Sequence, residues 1–300
     1  MATPLTFSRP ADEMAATLAR WGMYGRWGRG KTTLIGTIPP ELPTLVVNTP
    51  TENIKPISHI KHLVRTPLTE WEQMTDLFLK VRSETMVKNR KTGSWEPDPD
   101  YVSGRKKGIR VLAFDTLSRL QALAMKKRMG QDNLSPEDAY QLMLKVEKTG
   151  KGYDFWNDVG DWVAEAVRNF DTLPLHVIWM MQEDDREPKF EHSSPAITGP
   201  QLTPKALKQV METLEIVGRL YVAPQEEDLL DLGDKKSFQI NPNMKEVHWL
   251  LLGQHDRYLA KGPTHILGYA VKNPTWDKLT EALDPSKMAV PVEDDDEEIA

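Results

Sequence analysis

The amino-acid sequence predicts an α/β protein with a mostly parallel, twisted sheet and helices on both faces. Three observations carry this prediction. Apolar runs of strand length alternate with segments of helical periodicity, a glycine-rich loop precedes the first helix, and a later apolar run ends in a carboxylate. Alternating strands and helices are typical of parallel sheets, because each parallel strand needs a crossover connection and helices supply it.

A glycine-rich loop at residues 25–33 has the phosphate-loop pattern G-x-x-x-x-G-K-[ST]. In this pattern, glycines let the backbone curl so that its N–H groups point at phosphate oxygens. Lys31 brings a mobile positive charge to the β- and γ-phosphates, and the Thr32 hydroxyl can bind Mg²⁺. A glycine-rich turn before a helix, with no ligand, is the alternative. The residues expected to bind nucleotide are Gly25, Arg26, Trp27, Gly28, Arg29, Gly30, Lys31, Thr32 and Thr33.

The elements around this loop follow in the order that a phosphate-binding fold requires. Residues 21–24 form a short apolar approach, residues 32–38 predict a short helix ended by prolines, and residues 42–47 predict a buried strand. Residues 109–115 predict another strand, which ends at Asp115. A Walker B element needs such an acid, because a strand tip in the neighbouring position of a parallel sheet can hold the Mg²⁺ shell.

The rest of the chain predicts further helices over 69–88, 116–129 and 155–170, and strands over 175–181, 218–223 and 247–252. The strand over 175–181 leads into Gln182, and its His176 is interpreted as a core histidine. Residues 89–108 read as a turn-rich, basic and mobile insertion, and residues 183–204 as a long polar loop.

Composition and charge describe a globular protein with a polarised surface. Hydrophobic residues make up 39% and charged residues 27% of the 300-residue chain, which has no cysteine. No apolar stretch approaches the roughly 20 residues that span a bilayer, so we expect no membrane partner. The absence of cysteine favours a reducing, intracellular setting, and we expect a cytoplasmic location. Residues 293–298 are six consecutive acids that account for the net charge of −6. Residues 80–110 carry nine Lys and Arg against four Asp and Glu, which indicates either a solvated surface or a polyanion partner.

The order of these parts resembles the RecA-like ATPase core, and within that group the compact phage-type ATPases of single-strand annealing and recombination. The resemblance covers about residues 20–270 and lies in element order more than in residue identity. It implies a RecA-like P-loop NTPase domain over 20–285, with an N-terminal lead-in over 1–19 and a disordered acidic tail over 286–300. It also implies ATP and Mg²⁺ as ligands and, for a phage protein, the host cytoplasm as location.

The resemblance also implies roles for individual residues. Lys31, Glu52, Asp115 and Gln182 are the candidate catalytic residues, with Thr32 and Asp115 at the metal. In the family, a glutamine ends the strand that follows the Walker B strand and links the γ-phosphate to the adjoining DNA-binding loop, and Gln182 matches it. A strand-end amide that caps a turn is the alternative. A family glutamate just past the second strand polarises the attacking water. Here the nearest equivalent is Pro50 and Glu52 lies two residues later, which leaves the base open and points to weak hydrolysis.

Single-stranded DNA is the partner that the resemblance implies, with residues 130–152 and 183–204 matching its two DNA-binding loops. The aromatic residues Trp95 and Tyr101 are candidates for stacking on bases. Arg257 and Lys261 match cations that reach a neighbouring subunit's nucleotide, which implies a homo-oligomer, either a filament or a ring; an ordinary surface hairpin is the alternative. The expected DNA contacts are Arg105, Lys106, Lys107, Lys148, Lys151, Arg186 and Lys189.

Three functions follow as hypotheses. The first is an ATP-hydrolysing protein that acts on single-stranded DNA in recombination or strand annealing, in possible contact with a single-stranded-DNA-binding protein. The second is a P-loop DNA motor such as a helicase or packaging ATPase, and the third is a weakly catalytic, nucleotide-gated DNA-binding protein. The acidic tail is expected either to compete with DNA for basic residues or to serve solubility alone.

Overall fold

The computed structural model describes residues 18–130, 152–186, 197–224 and 246–282. Its strands are β1 Arg20–Gly25, β2 Thr44–Asn48, β3 Leu63–Pro67, β4 Met86–Lys88, β5 Trp95–Pro97, β6 Val111–Asp115, β7 His176–Arg186, β8 Ile197–Pro200, β9 Ile216–Pro224, β10 Glu246–Leu251 and β11 Ala270–Lys272. Its helices are α1 Lys31–Ile35, α2 Glu72–Thr85, α3 Pro99–Val102, α4 Leu117–Met129, α5 Gly152–Asp171, α6 Pro204–Thr213, α7 Thr264–Leu267 and α8 Trp276–Ala282, with a 3₁₀ turn at Lys55–Ile57.

One large sheet organises the described residues. Its strands lie in the order β11-β10-β9-β1-β7-β6-β2-β3, with β8 attached to β7. The six strands from β9 to β3 run parallel, whereas β10 and β11 add an antiparallel edge and β8 pairs antiparallel with the outer part of β7. The predicted α/β class with a mostly parallel sheet is therefore confirmed.

Alternate residues of the central strands pack on opposite faces of this sheet. On one face the rings of Phe114 and Trp179 stack with centroids 3.9 Å apart, and Phe170 of α5 meets Phe114 edge-on at 4.9 Å. On the other face Trp21 packs against Trp276 of α8, with ring centroids 4.9 Å apart. Strands that are buried on both faces explain the nearly continuous apolar runs of the sequence, and helices cover both faces as predicted.

The first strand is complete although Arg20 and Gly22 interrupt its apolar pattern. Arg20 is buried and donates from its guanidinium to the carbonyl oxygens of Asp171, the last residue of α5, and of Leu173 and Leu175, which lie just beyond it. Its Nε also lies 2.7 Å from the Asp171 carboxylate. The arginine thus satisfies carbonyls at a helix carboxyl end, where a cation is favourable, and it joins that helix to the start of β1.

The strand order corrects one expectation about the Walker B element. The sequence pattern predicts that the strand ending at Asp115 lies next to the phosphate-loop strand, but β7 lies between them. Gly25 pairs with Gln182 of β7, and Asp115 pairs with Met180 of the same strand. Asp115 still reaches this site, because α1 starts directly after the loop and the Thr32 hydroxyl in its first turn donates to Oδ2 of Asp115 at 2.7 Å.

Two segments interpreted as loops contain regular structure. Within residues 89–108, β5 pairs with β4 and α3 follows, held in place by the buried Tyr101, whose hydroxyl donates to the Ile109 carbonyl. Residues 183–186 continue β7 and pair with residues 197–200 of β8. Both pairings join short polar segments that are separated along the chain. The residue pattern within one segment does not indicate which other segment it pairs with.

Several elements have no counterpart in the sequence prediction. The edge strand β3 is largely exposed and has no apolar run, while α6 follows directly from the segment taken as a loop. The others are β11, α7 and α8. The first DNA loop, most of the lead-in and the acidic tail lie outside the described residues, so the expectations for them and the domain bounds stay predictions.

Protonation of His176 is expected to destabilise the fold. Its Nδ1 accepts a hydrogen bond from the Ala19 N–H at 2.9 Å, which confirms a satisfied core histidine, and burial lowers its pKa from 6.5 to about 4. Between these values the unfolded chain binds a proton that the folded chain does not. The free energy of unfolding should therefore decrease as the pH falls through this range, by up to about 1.4 kcal/mol per pH unit.

The variant His176→Asn keeps an acceptor for Ala19 but cannot titrate. Urea unfolding of both proteins from about pH 4 to about pH 8 isolates the histidine, since all other titrating groups are shared. The wild-type curve should be steeper than the curve of the variant below pH 6.5. Parallel curves would contradict a buried neutral histidine.

Candidate active site

The phosphate loop connects β1 to α1 at the carboxyl edge of the sheet. Gly28 and Gly30 have positive φ angles of 72° and 89°, a conformation that favours glycine. A Cβ atom on Gly25 would lie 2.4 Å from the carbonyl oxygen of Leu220 in β9. Any other residue at Gly25 would therefore force the backbone of the sheet to shift. The three glycines are explained by backbone conformation and close approach, as the phosphate-loop interpretation requires.

Lys31 lies inside the curl of this loop. Its Nζ donates to the carbonyl oxygens of Gly25 at 2.6 Å and Arg26 at 2.9 Å, and to Oε1 of Gln182 at 3.2 Å. The side chain is 7% exposed. Burial lowers the pKa of Lys31 to about 8, although nearby carboxylates, Asp115 foremost, act in the opposite direction. The sequence pattern predicts a mobile lysine, whereas the structure gives its ammonium fixed acceptors.

Thr32 and Asp115 form the candidate metal site. The Thr32 hydroxyl donates to Oδ2 of Asp115 at 2.7 Å, and burial raises the pKa of the Asp115 carboxyl. A hydroxyl and a buried carboxylate fit Mg²⁺, which binds through one or two protein oxygens while phosphates and water complete its shell. Within the described parts of the chain, no group of three His, Asp or Glu side chains could hold a metal by itself.

Glu52 follows the tip of β2 and reaches the same site. Its Oε1 accepts a hydrogen bond from the Thr116 hydroxyl at 3.1 Å and lies 3.9 Å from Nε of Arg119. Burial and the nearby Asp115 carboxylate raise the pKa of Glu52. A carboxylate with a raised pKa in a buried site has the properties of a general base. The structure thus brings Glu52 together with Asp115 and Lys31.

Gln182 connects the phosphate loop to the β7–β8 hairpin. Its side-chain oxygen accepts from Lys31, its backbone N–H donates to Oγ of Ser118 at 3.0 Å, and its carbonyl accepts from the Gln201 N–H at 2.8 Å. The strand does not end here, because β7 continues to Arg186. Both interpretations of Gln182 had placed it at the end of this strand, and the structure corrects that position. Its side-chain oxygen contacts the loop lysine and its backbone N–H contacts α4, and its role at the γ-phosphate stays a prediction.

A buried charge cluster next to Gln182 was not identified from the sequence. Both carboxylate oxygens of Glu183 bind the Arg219 guanidinium of β9, at 2.9 and 3.0 Å, and Oε1 also accepts from Nε of Arg26 at 3.1 Å. The Tyr258 ring lies against the same guanidinium, 3.9 Å from its centre. The polar run after Gln182 gives no sign that its first glutamate is buried, since only the pairing of distant strands places arginine beside it.

Two further polar residues at the same edge of the sheet were not predicted. Asn48 at the tip of β2 is fully buried and accepts from Nε of Arg65 at 2.9 Å, while its Nδ2 has no acceptor among the described residues. His248 of β10 packs against Gly30, since a Cβ atom on that glycine would lie 2.9 Å from the histidine Nδ1. Asn48 could have been found, because it directly follows a predicted strand at the edge where ligands bind.

The expected DNA contacts at residues 105–107 lie away from this site. They precede β6 and therefore lie at the amino edge of the sheet, opposite the phosphate loop. Nε of Arg105 is 3.1 Å from the Asp100 carboxylate, and Nζ of Lys106 is 3.0 Å from that of Asp98. Such pairing is typical of an ordinary surface cluster, and contact with DNA here stays a prediction.

Of the two aromatic residues beside this cluster, one is not free to stack on bases. Tyr101 is 1% exposed, and its ring is covered by the Arg110 guanidinium at 4.0 Å. Trp95 is partly exposed, with the Arg82 guanidinium 4.5 Å from its ring centroid. The expectation of base stacking is wrong for Tyr101, because the residue anchors α3 in the core.

The other expected cations are only partly described. Lys148, Lys151 and Lys189 lie outside the described residues, and Arg186 ends β7 with only its backbone described. Arg257 is exposed, whereas Nζ of Lys261 donates to the Met211 carbonyl at 3.0 Å, near the end of α6. A cation near a helix carboxyl end has a local stabilising role. The action of Arg257 and Lys261 on a neighbouring subunit stays a prediction.

The glycine-curled loop, the buried lysine and the threonine–aspartate pair at the carboxyl edge of a parallel sheet define a P-loop nucleotide-binding ATPase fold. A family model described as an AAA domain matches residues 18–264. The chain therefore belongs to the AAA domain family, and the match covers every element of the site described above. No curated protein matches the chain.

No described helix is both long enough and apolar enough to cross a membrane.

Nucleotide binding is expected to take up a proton above neutral pH. The pKa of Lys31 is about 8 in the free protein, and phosphate charge beside the ammonium raises it. The free lysine therefore loses its proton as the pH rises through about 8, whereas the bound lysine keeps it. ATP affinity should decrease over this range, and calorimetry in two buffers with different ionisation enthalpies should detect proton uptake.

The variant Lys31→Arg is the control, because a guanidinium stays charged in this range. Any nucleotide binding that it retains should occur without proton uptake from the buffer. Equal proton uptake by the variant and the wild-type protein would assign the effect to another group.

Proposed function

We propose that this protein hydrolyses ATP and uses the hydrolysis cycle to act on single-stranded DNA, in recombination or strand annealing. The observation that carries the ATPase activity is the meeting of Glu52, Asp115 and Lys31 in one buried site. Their side chains supply a candidate base, a metal-binding acid and a phosphate-binding cation. These are the parts that phosphoryl transfer to water requires.

Hydrolysis transfers the γ-phosphoryl group of ATP to a water molecule. Glu52 takes a proton from the water, whose oxygen bonds to the γ-phosphorus while the bond to the β–γ bridging oxygen breaks. ADP and inorganic phosphate result. Lys31 neutralises charge on the β- and γ-phosphates, and the Thr116 hydroxyl orients Glu52 by its hydrogen bond. Thr32 and Asp115 would hold Mg²⁺, which would supply further positive charge at the phosphate oxygens.

The contacts of Gln182 support a partner whose binding depends on nucleotide. Its side chain accepts from Lys31, and its backbone begins the β7–β8 hairpin. A change in the phosphates bound by Lys31 can therefore affect the position of the hairpin through Gln182 alone. The segment that joins the two hairpin strands contains Lys189, an expected DNA contact. We propose single-stranded DNA as the partner at this hairpin, bound by an oligomer of the chain.

One experiment distinguishes the proposed function from two alternatives. A P-loop motor would couple hydrolysis to strand displacement or DNA translocation, and a nucleotide-gated DNA-binding protein would bind ATP with little turnover. Turnover measured with and without single-stranded DNA separates them. Strong stimulation without strand displacement supports the proposed function, displacement supports the motor, and tight binding without turnover supports the gated protein.

The variant Glu52→Gln is expected to lose catalysis and keep nucleotide binding. Removal of a general base should lower kcat by about 10²-fold or more, while the Kd for ATP should change by less than about threefold. Steady-state phosphate release and calorimetric titration measure the two quantities. Glu72→Gln is the matched control, because this exposed glutamate pairs with Lys127 outside the site. Equal kcat values for the two variants would remove Glu52 from the mechanism.

The hairpin cations are expected to contribute more to DNA binding than the cluster at residues 105–107. Arg105 and Lys106 already pair with carboxylates, so their loss releases fewer counterions. Alanine at both Arg186 and Lys189 should weaken binding of single strands of any sequence and reduce the slope of log K against log salt by about 1.4. Fluorescence anisotropy at several salt concentrations measures it. If the triple alanine variant of residues 105–107 reduced the salt slope by more than the hairpin variant does, the DNA-binding site would have to be assigned to the opposite edge of the sheet.

A further inference from the structure

Arg119 occupies a place that the mechanism above does not use. It lies in the first turn of α4, directly after the Walker B strand, where its backbone N–H donates to the Thr116 hydroxyl. Its Nε is 3.9 Å from the Glu52 carboxylate, and its guanidinium lies 5.2 Å from the ring centroid of Trp27 at the tip of the phosphate loop. The guanidinium therefore stands between the candidate base and the loop that receives the phosphates.

The charges at this site favour a further cation from the protein. Two carboxylates, Glu52 and Asp115, would border the γ-phosphate, and the phosphate itself brings further negative charge. Lys31 and a bound Mg²⁺ at Thr32 and Asp115 would supply positive charge there, whereas the mechanism above uses no cation beside Glu52. In phosphoryl transfer an additional arginine that contacts the transferred group lowers the barrier by a large factor. The Arg119 side chain is half-buried, and its Nε lies 3.9 Å from the Glu52 carboxylate.

We infer that Arg119 is a further catalytic residue, a cation supplied by the same chain that binds the γ-phosphoryl oxygens as they gain charge. The inference rests on the proposed ATPase function. Nε of Arg119 lies 3.9 Å from the Glu52 carboxylate, the distance of an ion pair, which places the guanidinium beside the group that would activate the attacking water.

Trp27 fits the same role as a support for the arginine. Its side chain is 63% exposed. Packing does not require a large apolar residue at this loop tip, because a small or polar residue would suit an exposed position equally well. The face of an indole ring attracts a guanidinium at this distance. Trp27 thus orients Arg119 over the loop, and it acts as a positioning residue because its ring contacts the arginine.

Turnover of two Arg119 variants tests the inference. Arg119→Ala should lower kcat by about 10²-fold or more, with a change of less than about threefold in the Kd for ATP. Arg119→Lys should recover part of the loss, and guanidinium ion added to Arg119→Ala should recover part as well. Arg128→Ala is the matched control, since this arginine lies on the same helix and pairs with Asp158 at 2.6 Å. A kcat for Arg119→Ala equal to that of the control overturns the inference.

A second measurement separates direct contact with phosphate from an effect through Glu52. ADP with aluminium fluoride mimics the transferred phosphoryl group, and its affinity needs no turnover. In the Glu52→Gln background, Arg119→Ala should still weaken binding of this complex by about tenfold or more relative to ADP alone. No further loss in that background would show that Arg119 only orients Glu52, and would overturn the inference.

Failure of the proposed function has a different result. Either the wild-type protein would then show no ATP turnover above background, or Lys31→Ala and Glu52→Gln would both keep the measured turnover, whatever Arg119 does. If these two variants lose turnover and Arg119→Ala keeps it, the ATPase proposal stands and only the role of Arg119 is lost. The fraction folded is compared by circular dichroism, so that loss of structure is not read as loss of catalysis.

Discussion

The site depends on the desolvated ammonium of Lys31. Removal of a charge from water costs several kcal/mol unless polar groups replace the lost hydration. Here two loop carbonyls and the Gln182 amide oxygen supply hydrogen bonds, and the carboxylates of Asp115 and Glu52 supply opposite charge. The lysine therefore fixes the curl of the loop and stays charged near neutral pH.

The same balance governs the acids around it. Burial raises the pKa of both Asp115 and Glu52, and each carboxylate is also close enough to act on Lys31. Loss of any one charge therefore shifts the others, because the groups share a buried region with little water. The Glu183–Arg219 pair forms a second system next to this one, and Arg26 joins the two through the phosphate loop.

The sequence predicted the parts of the fold and site that depend on local pattern. Lys31, Thr32 and Asp115 were found because a glycine spacing and an acid at the end of an apolar run are visible in short windows. The hairpin at residues 183–200, the edge strand β3 and the burial of Glu183 were missed, because each depends on residues distant in the chain. The place of β7 between β1 and β6 was missed for the same reason, since strand order leaves no trace in a strand's own residues.

The central place of β7 has a mechanical consequence. Its inner part forms hydrogen-bonded ladders with β1 on one side and β6 on the other, whereas its outer part pairs with β8 alone. A pull on the hairpin along the strand would load both inner ladders in shear, so that many hydrogen bonds share the force at once. The hairpin is thus rigidly connected to the sheet, and a force applied to it acts on the phosphate-loop strand and on the strand that ends at Asp115 at the same time.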